Sequence, residues 1–138
     1  MGRVIHTENL SAERNRLMKA MVVALREMGK QNTFTDESRD LASFLAAALE
    51  TVAETVERSV GPWEKRGYWL KADRFRMNWD WVDPLARQMK KAVLEEDLGT
   101  LAQSAATLGA KLNNVEVAQK HRFGSPWVGA WEKLKEKE

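Results

Sequence analysis

The chain has 138 residues, 43% hydrophobic and 30% charged, with 22 basic against 20 acidic side chains and no cysteine. That length supports one domain with a real core, and the composition is that of a globular protein rather than a disordered or fibrous one. The missing cysteine excludes a disulfide framework, a thiol nucleophile and thiolate-held zinc or iron–sulfur centres, and it suits a reducing compartment such as the cytoplasm.

The opening MGRVIHTENL has no apolar run of signal-peptide type. The longest apolar stretch, residues 41–49, is interrupted by Ser43 and is too short to span a bilayer. No membrane association is expected.

Residues 1–10 read as an arm, with His6 isolated in it. Ser11 is placed as an N-cap, and a first helix runs to about Met28, where Gly29 offers a stop. Its core stripe is Leu17, Met21, Ala24, Leu25 and Met28, and Arg16, Lys19, Arg26 and Lys30 lie opposite. Thr35 caps a second helix, with Asp36 and Glu37 in its first turn. Leu41, Phe44, Leu45, Ala48, Leu49, Val52, Val56 and Val60 then hold the 3.6-residue period for five turns. Glu50, Glu54 and Glu57 line the other face and read as solvated or ion-paired.

The next stretch is the most unusual. PWEKRGYWLKADRFRMNWDWV, residues 62–82, carries four of the six tryptophans and the only tyrosine. Gly61 and Pro62 punctuate the chain, and proline suits the first position of a helix, so a helix is expected over 62–80, central to the fold. On that helix Tyr68, Ala72, Phe75 and Trp79 form one stripe, with Trp69 at its edge. Trp63, Leu70, Met77 and Trp81 form another on the far side. Two charged seams separate them: Arg66, Asp73 and Asp80 on one side, and Lys71, Arg74 and Asn78 on the other. A surface helix ordinarily has one apolar face. A helix with two buries both, either within its domain or against a partner.

Asp83 and Pro84 repeat the cap-plus-proline signal and open a fourth helix over 84–95. Asp97 or a neighbour caps a fifth, running to about Leu112. Residues 113–124 are irregular. Ser125 and Pro126 then introduce a short helix whose stripe is Trp127, Trp131 and Leu134. It is too short to stand alone and docks on its own bundle or on another subunit.

Net charge alternates along the chain: +3 over 1–35, −4 over 36–60, +4 over 61–93, −3 over 94–117 and +2 over 118–138. That suits helices attracting their neighbours better than it suits one continuous nucleic-acid surface. No phosphate-binding glycine loop, HExxH or GxSxG pattern occurs.

The fold expected is all-α: a single-domain bundle of about five helices over 1–138, with a short C-terminal docking helix inside the segment 113–138. The leading functional reading is a non-catalytic interaction or assembly module that self-associates or meets a protein partner, with no cofactor and no metal. Its candidate contact residues are Trp63, Arg66, Tyr68, Trp69, Asp73, Arg74, Arg76, Trp127 and Trp131. The first alternative is sequence-tolerant nucleic-acid binding, in which basic groups meet phosphates and aromatics stack on bases. The second is a small-molecule or enzymatic pocket near Trp69, Asp73 and Arg76.

Overall fold

The computed structural model describes residues 9–137. Among them are six helices and no strand: α1 (Leu10–Gly29), α2 (Asp36–Lys65), α3 (Trp69–Asn78), α4 (Val82–Glu95), α5 (Leu98–Lys111) and α6 (Ala130–Glu136). None of these helices is long and apolar enough to cross a membrane. Most of the arm expected over 1–10 lies outside the described residues. Its last two positions do not belong to an arm: Asn9 is the N-cap of α1, Leu10 opens that helix, and Leu10 is buried. Ser11 therefore sits inside the first turn rather than capping it.

The organising element is α2, a 30-residue helix that packs against α1, α3, α4 and α6. Its start follows from the sequence. Thr35 accepts from the Ser38 amide while the Ser38 hydroxyl accepts from the Thr35 amide, each at 3.0 Å, so two orphan donors are satisfied reciprocally. The apolar period then places Leu41, Leu45, Leu49, Val52 and Val60 at essentially zero exposure. Leu41, Leu45, Leu49 and Val52 share one core cluster with Val82, Leu85, Met89 and Val93 of α4 and with Met21, Val23 and Ala24 of α1.

The end of α2 differs from the expectation. The helix does not stop at Gly61 and Pro62 but runs through both to Lys65. The stop is Gly67, in the left-handed conformation at φ +80°. Its amide bonds to the Glu64 carbonyl at 3.0 Å, and the Tyr68 amide reaches back to the Trp63 carbonyl at 2.8 Å. This pair of bonds defines a Schellman closure, which a glycine accepts without a Cβ penalty. The continuous helix over 62–80 is accordingly two elements, the last turn of α2 and the separate helix α3.

α4 starts two residues before Pro84, which falls in the first turn, where its missing N–H has no helical partner to lose. Asp97 caps α5 as expected, accepting from the Thr100 amide at 3.1 Å.

The irregular segment 113–124 forms no strand. It is tied to α1 by Arg26, which is half-buried rather than solvated and donates to the carbonyls of Val117 and Ala118. α6 begins at Ala130, later than Ser125 and Pro126 suggested, because Gly129 turns the chain at φ +83°. Its first turn is capped from α2: Asp40 accepts from the amides of Gly129 at 3.2 Å and Trp131 at 2.9 Å.

Candidate interaction surface

The surface that stands apart is built by α3 and the last turn of α2. Between α3 and the bundle runs a row of rings. Trp63 meets Phe75 edge-on at 5.3 Å, Phe75 lies 6.3 Å from Trp79, and Trp79 stacks on Trp81 at 6.4 Å. Arg14 of α1 lies over two of them, 5.1 Å from the Phe75 centroid and 5.3 Å from that of Trp79. Lys71 covers Trp63 at 4.3 Å. Arg76 completes the seat, with its guanidinium forked onto Glu57 at 3.0 and 3.1 Å and also onto Glu64.

The hydrogen bonds from Arg76 hold the Glu57 carboxyl below its ordinary range, and both carboxylates push the Arg76 pKa up. A depressed carboxylate stabilises the fold above its unfolded pKa and loses that contribution as pH falls through its folded value. The Glu57 arm of the clasp is therefore intact at neutral pH and is lost only in acid, below the ordinary carboxylate range.

The outward side of α3 is different. Of its ten residues only Ala72 is buried. Trp69 is 60% exposed, Leu70 63% and Met77 69%, and the neighbouring Tyr68 is 51% exposed. Of the first expected stripe, Ala72, Phe75 and Trp79 face the core, while Tyr68, at the N-cap of α3, is exposed. The second stripe survives as Leu70 and Met77 alone, because Trp63 and Trp81 belong to α2 and to the turn before α4.

Four cations surround this patch: Lys65, Arg66, Lys71 and Arg74. None is ion-paired to a carboxylate among the described residues. Asp73 is exposed and likewise unpaired.

A cleft opens on each flank of α3. One, of about 420 Å³, has Trp79 in its wall and Glu57, Asp80 and Asp83 around it. The other, of about 410 Å³, lies between Trp63 and Phe75 and is edged by Lys71 and Arg74. Arg76 lines the first of these clefts, while Trp69 and Asp73 line neither. Arg76 moves the Glu57 pKa downward, away from general acid–base work at neutral pH.

The candidate residues thus separate. Arg66, Tyr68, Trp69, Asp73 and Arg74 lie on the open patch, while Trp63 and Arg76 seat α3 from within. Trp127 is 4% exposed in the core of its own chain, and its indole N–H donates to Glu37 at 3.3 Å. Trp131 is half-buried, lying against Arg39 at 5.4 Å and Lys135 at 5.5 Å. Trp127, in the turn before α6, and Trp131, within it, therefore pack on their own bundle.

Three participants were not among the contact residues expected from the sequence. Leu70 and Met77 could be read from their phase on α3. Arg14 could not, because nothing local distinguishes a buried arginine from the solvated ones beside it.

Gly67 joins the patch to the bundle. Gly67→Ala is expected to lower stability by about 1–2 kcal/mol, the cost of a Cβ in the left-handed region. Gly61→Ala, six residues earlier inside α2 and with nothing within 4 Å of the added carbon, is expected to raise it by about 0.5–1 kcal/mol. Urea unfolding of the two variants measures both signs.

No known protein family, curated protein or solved structure matches the chain.

Proposed function

We propose that this protein is a non-catalytic interaction module that assembles with further copies of itself through the outward face of α3, in the cytoplasm. One observation carries the reading: a ten-residue helix buries a single side chain and turns Trp69, Leu70 and Met77 to solvent in one patch. Contiguous exposed apolar surface of this kind, rimmed by charge, is characteristic of contact sites. Tryptophan, tyrosine and arginine are also the side chains that dominate interface energetics, and Trp69, Tyr68, Arg66 and Arg74 supply them here.

Sedimentation velocity over a concentration series tests it. The wild-type chain is expected to gain mass with concentration, and Leu70→Glu/Met77→Glu to remain monomeric with unchanged helix content, since both side chains lie outside the core. A wild-type chain that stays monomeric throughout would remove the proposal.

A second reading rests on a separate feature of the patch. Tyr68 and Trp69 are exposed beside Lys65, Arg66, Lys71 and Arg74, none held by a carboxylate among the described residues, the combination that holds single-stranded nucleic acid by stacking and phosphate contact. It requires that a labelled oligothymidylate bind at low salt, that binding fall steeply with added salt, and that Trp69→Ala or Arg66→Ala weaken it. No binding at low salt would dismiss this reading.

A further inference from the structure

The charges beside the α3 crest are sorted by flank, and that sorting restricts how two copies can meet. At about 100° per residue, Leu70 and Met77 lie almost in line. Asp73 lies about 60° to one side of Leu70, and Arg74 about 40° to the other. The Asp73 side leads into the cleft bordered by Asp80 and Asp83, and the Arg74 side into the cleft edged by Lys71. The crest is apolar. On the Asp73 side Arg76 is taken up by Glu57 and Glu64 and Asp83 by Arg87, so the charge left without an ion pair among the described residues is acidic there, Asp73 and Asp80, and basic on the other side, Arg74 and Lys71.

We propose that the second copy packs crest to crest about a two-fold axis running along α3, so that the two α3 helices are parallel. A two-fold contact is self-complementary, and its axis decides which flanks meet. An axis across the helices makes them antiparallel and turns each flank toward its own copy, Asp73 to Asp73 and Arg74 to Arg74. An axis along the helices turns the acidic flank of each copy toward the basic flank of the other. Asp73 then meets Arg74 of the second copy, twice, and Leu70 and Met77 each meet their own equivalents. Trp69, one turn before Asp73 on the same flank, comes within reach of Lys71 of the second copy.

This arrangement rests on the α3 contact proposed above and specifies its partner and orientation. Four side chains exposed to half or more offer on the order of 400 Å² per copy, less than the usual ~800 Å². The dimer is accordingly weak, with a Kd of about 10–100 µM.

The test uses charge reversal at two exposed positions that take part in no ion pair within the described chain. Sedimentation equilibrium is run from about 1 to 300 µM, bracketing that Kd. Asp73→Lys and Arg74→Glu are each expected to raise the Kd about tenfold, because each turns two attractive pairs into two repulsive ones. Asp73→Lys/Arg74→Glu in one chain restores the wild-type value, and an equimolar mixture of the two single variants associates.

If the wild type associates and Leu70→Glu/Met77→Glu abolishes association while the charge variants are indistinguishable from wild type, the α3 contact stands and the parallel arrangement is overturned. If association survives Leu70→Glu/Met77→Glu, or the wild type is monomeric at 300 µM, both are overturned.

Discussion

Trp127→Ala is expected to destabilise the protein by about 3–5 kcal/mol, the range for truncating a buried tryptophan. Trp127 is 4% exposed and belongs to the main core, and its indole N–H is bonded to Glu37 near the start of α2. It also holds more than its own volume in place. The segment that follows has seven helical residues, too few to persist without docking. That segment depends on Trp127, on the buried Leu134 and on the cap supplied by Asp40. Urea unfolding should therefore show the loss of stability, and hydrogen exchange should show amides 130–136 losing protection well before those of α2. Trp131→Ala is the control. Its ring is half-buried against Arg39 and Lys135, and it should cost about 1 kcal/mol or less, as exposed cation–π contacts do. Equal effects from the two tryptophans would mean that α6 is held differently.

Arg14 gives the second large effect and a sharper contrast. It is 6% exposed, donates to Thr55 Oγ1 at 3.0 Å and lies over Phe75 and Trp79. No carboxylate pairs with it among the described residues, and burial pushes its pKa down. Arg14→Ala removes the stem that fills the space between α1, α2 and α3 and strips both rings of a neighbour, so about 3 kcal/mol of stability should be lost. Arg14→Met keeps the stem and discards a cation whose desolvation is costly, so it should fall within about 1 kcal/mol of the wild type or above it. If methionine is as damaging as alanine, the charge over the two rings is itself the stabilising element. Near-UV circular dichroism of the tryptophans, followed with urea unfolding, separates these outcomes.

Where local chemistry and tertiary packing agree, the fold could be read directly. Thr35 and Asp97 cap the helices expected of them, and the apolar period of α2 names its buried face residue by residue. Where they disagree, packing prevails. Pro62 argues for a helix start, yet α2 continues through it because the turn beyond is clamped by Trp63 on Phe75, by Glu64 on Arg76 and by the Gly67 closure. Gly67 carried the true stop signal, obscured by the stronger punctuation at 61 and 62. Residues 69–78 keep their mutual phase wherever the helix begins. Hence Ala72, Phe75 and Trp79 point inward, and Leu70 and Met77 point out. Periodicity cannot say which chain a helix docks on, so the burial of Trp127 on its own bundle was not legible. Nor was Arg14, whose partners lie 41 to 65 positions away in α2 and α3.

The most direct test of α3 as the contact surface is a dilution series followed by nitrogen-15 correlation spectroscopy. The expected result is a concentration-dependent shift at the Trp69 indole and at the amides of Leu70, Asp73, Arg74 and Met77, all reporting one Kd, while α5 and α6 stay fixed. Shifts confined to other helices, or none at any concentration, would contradict it.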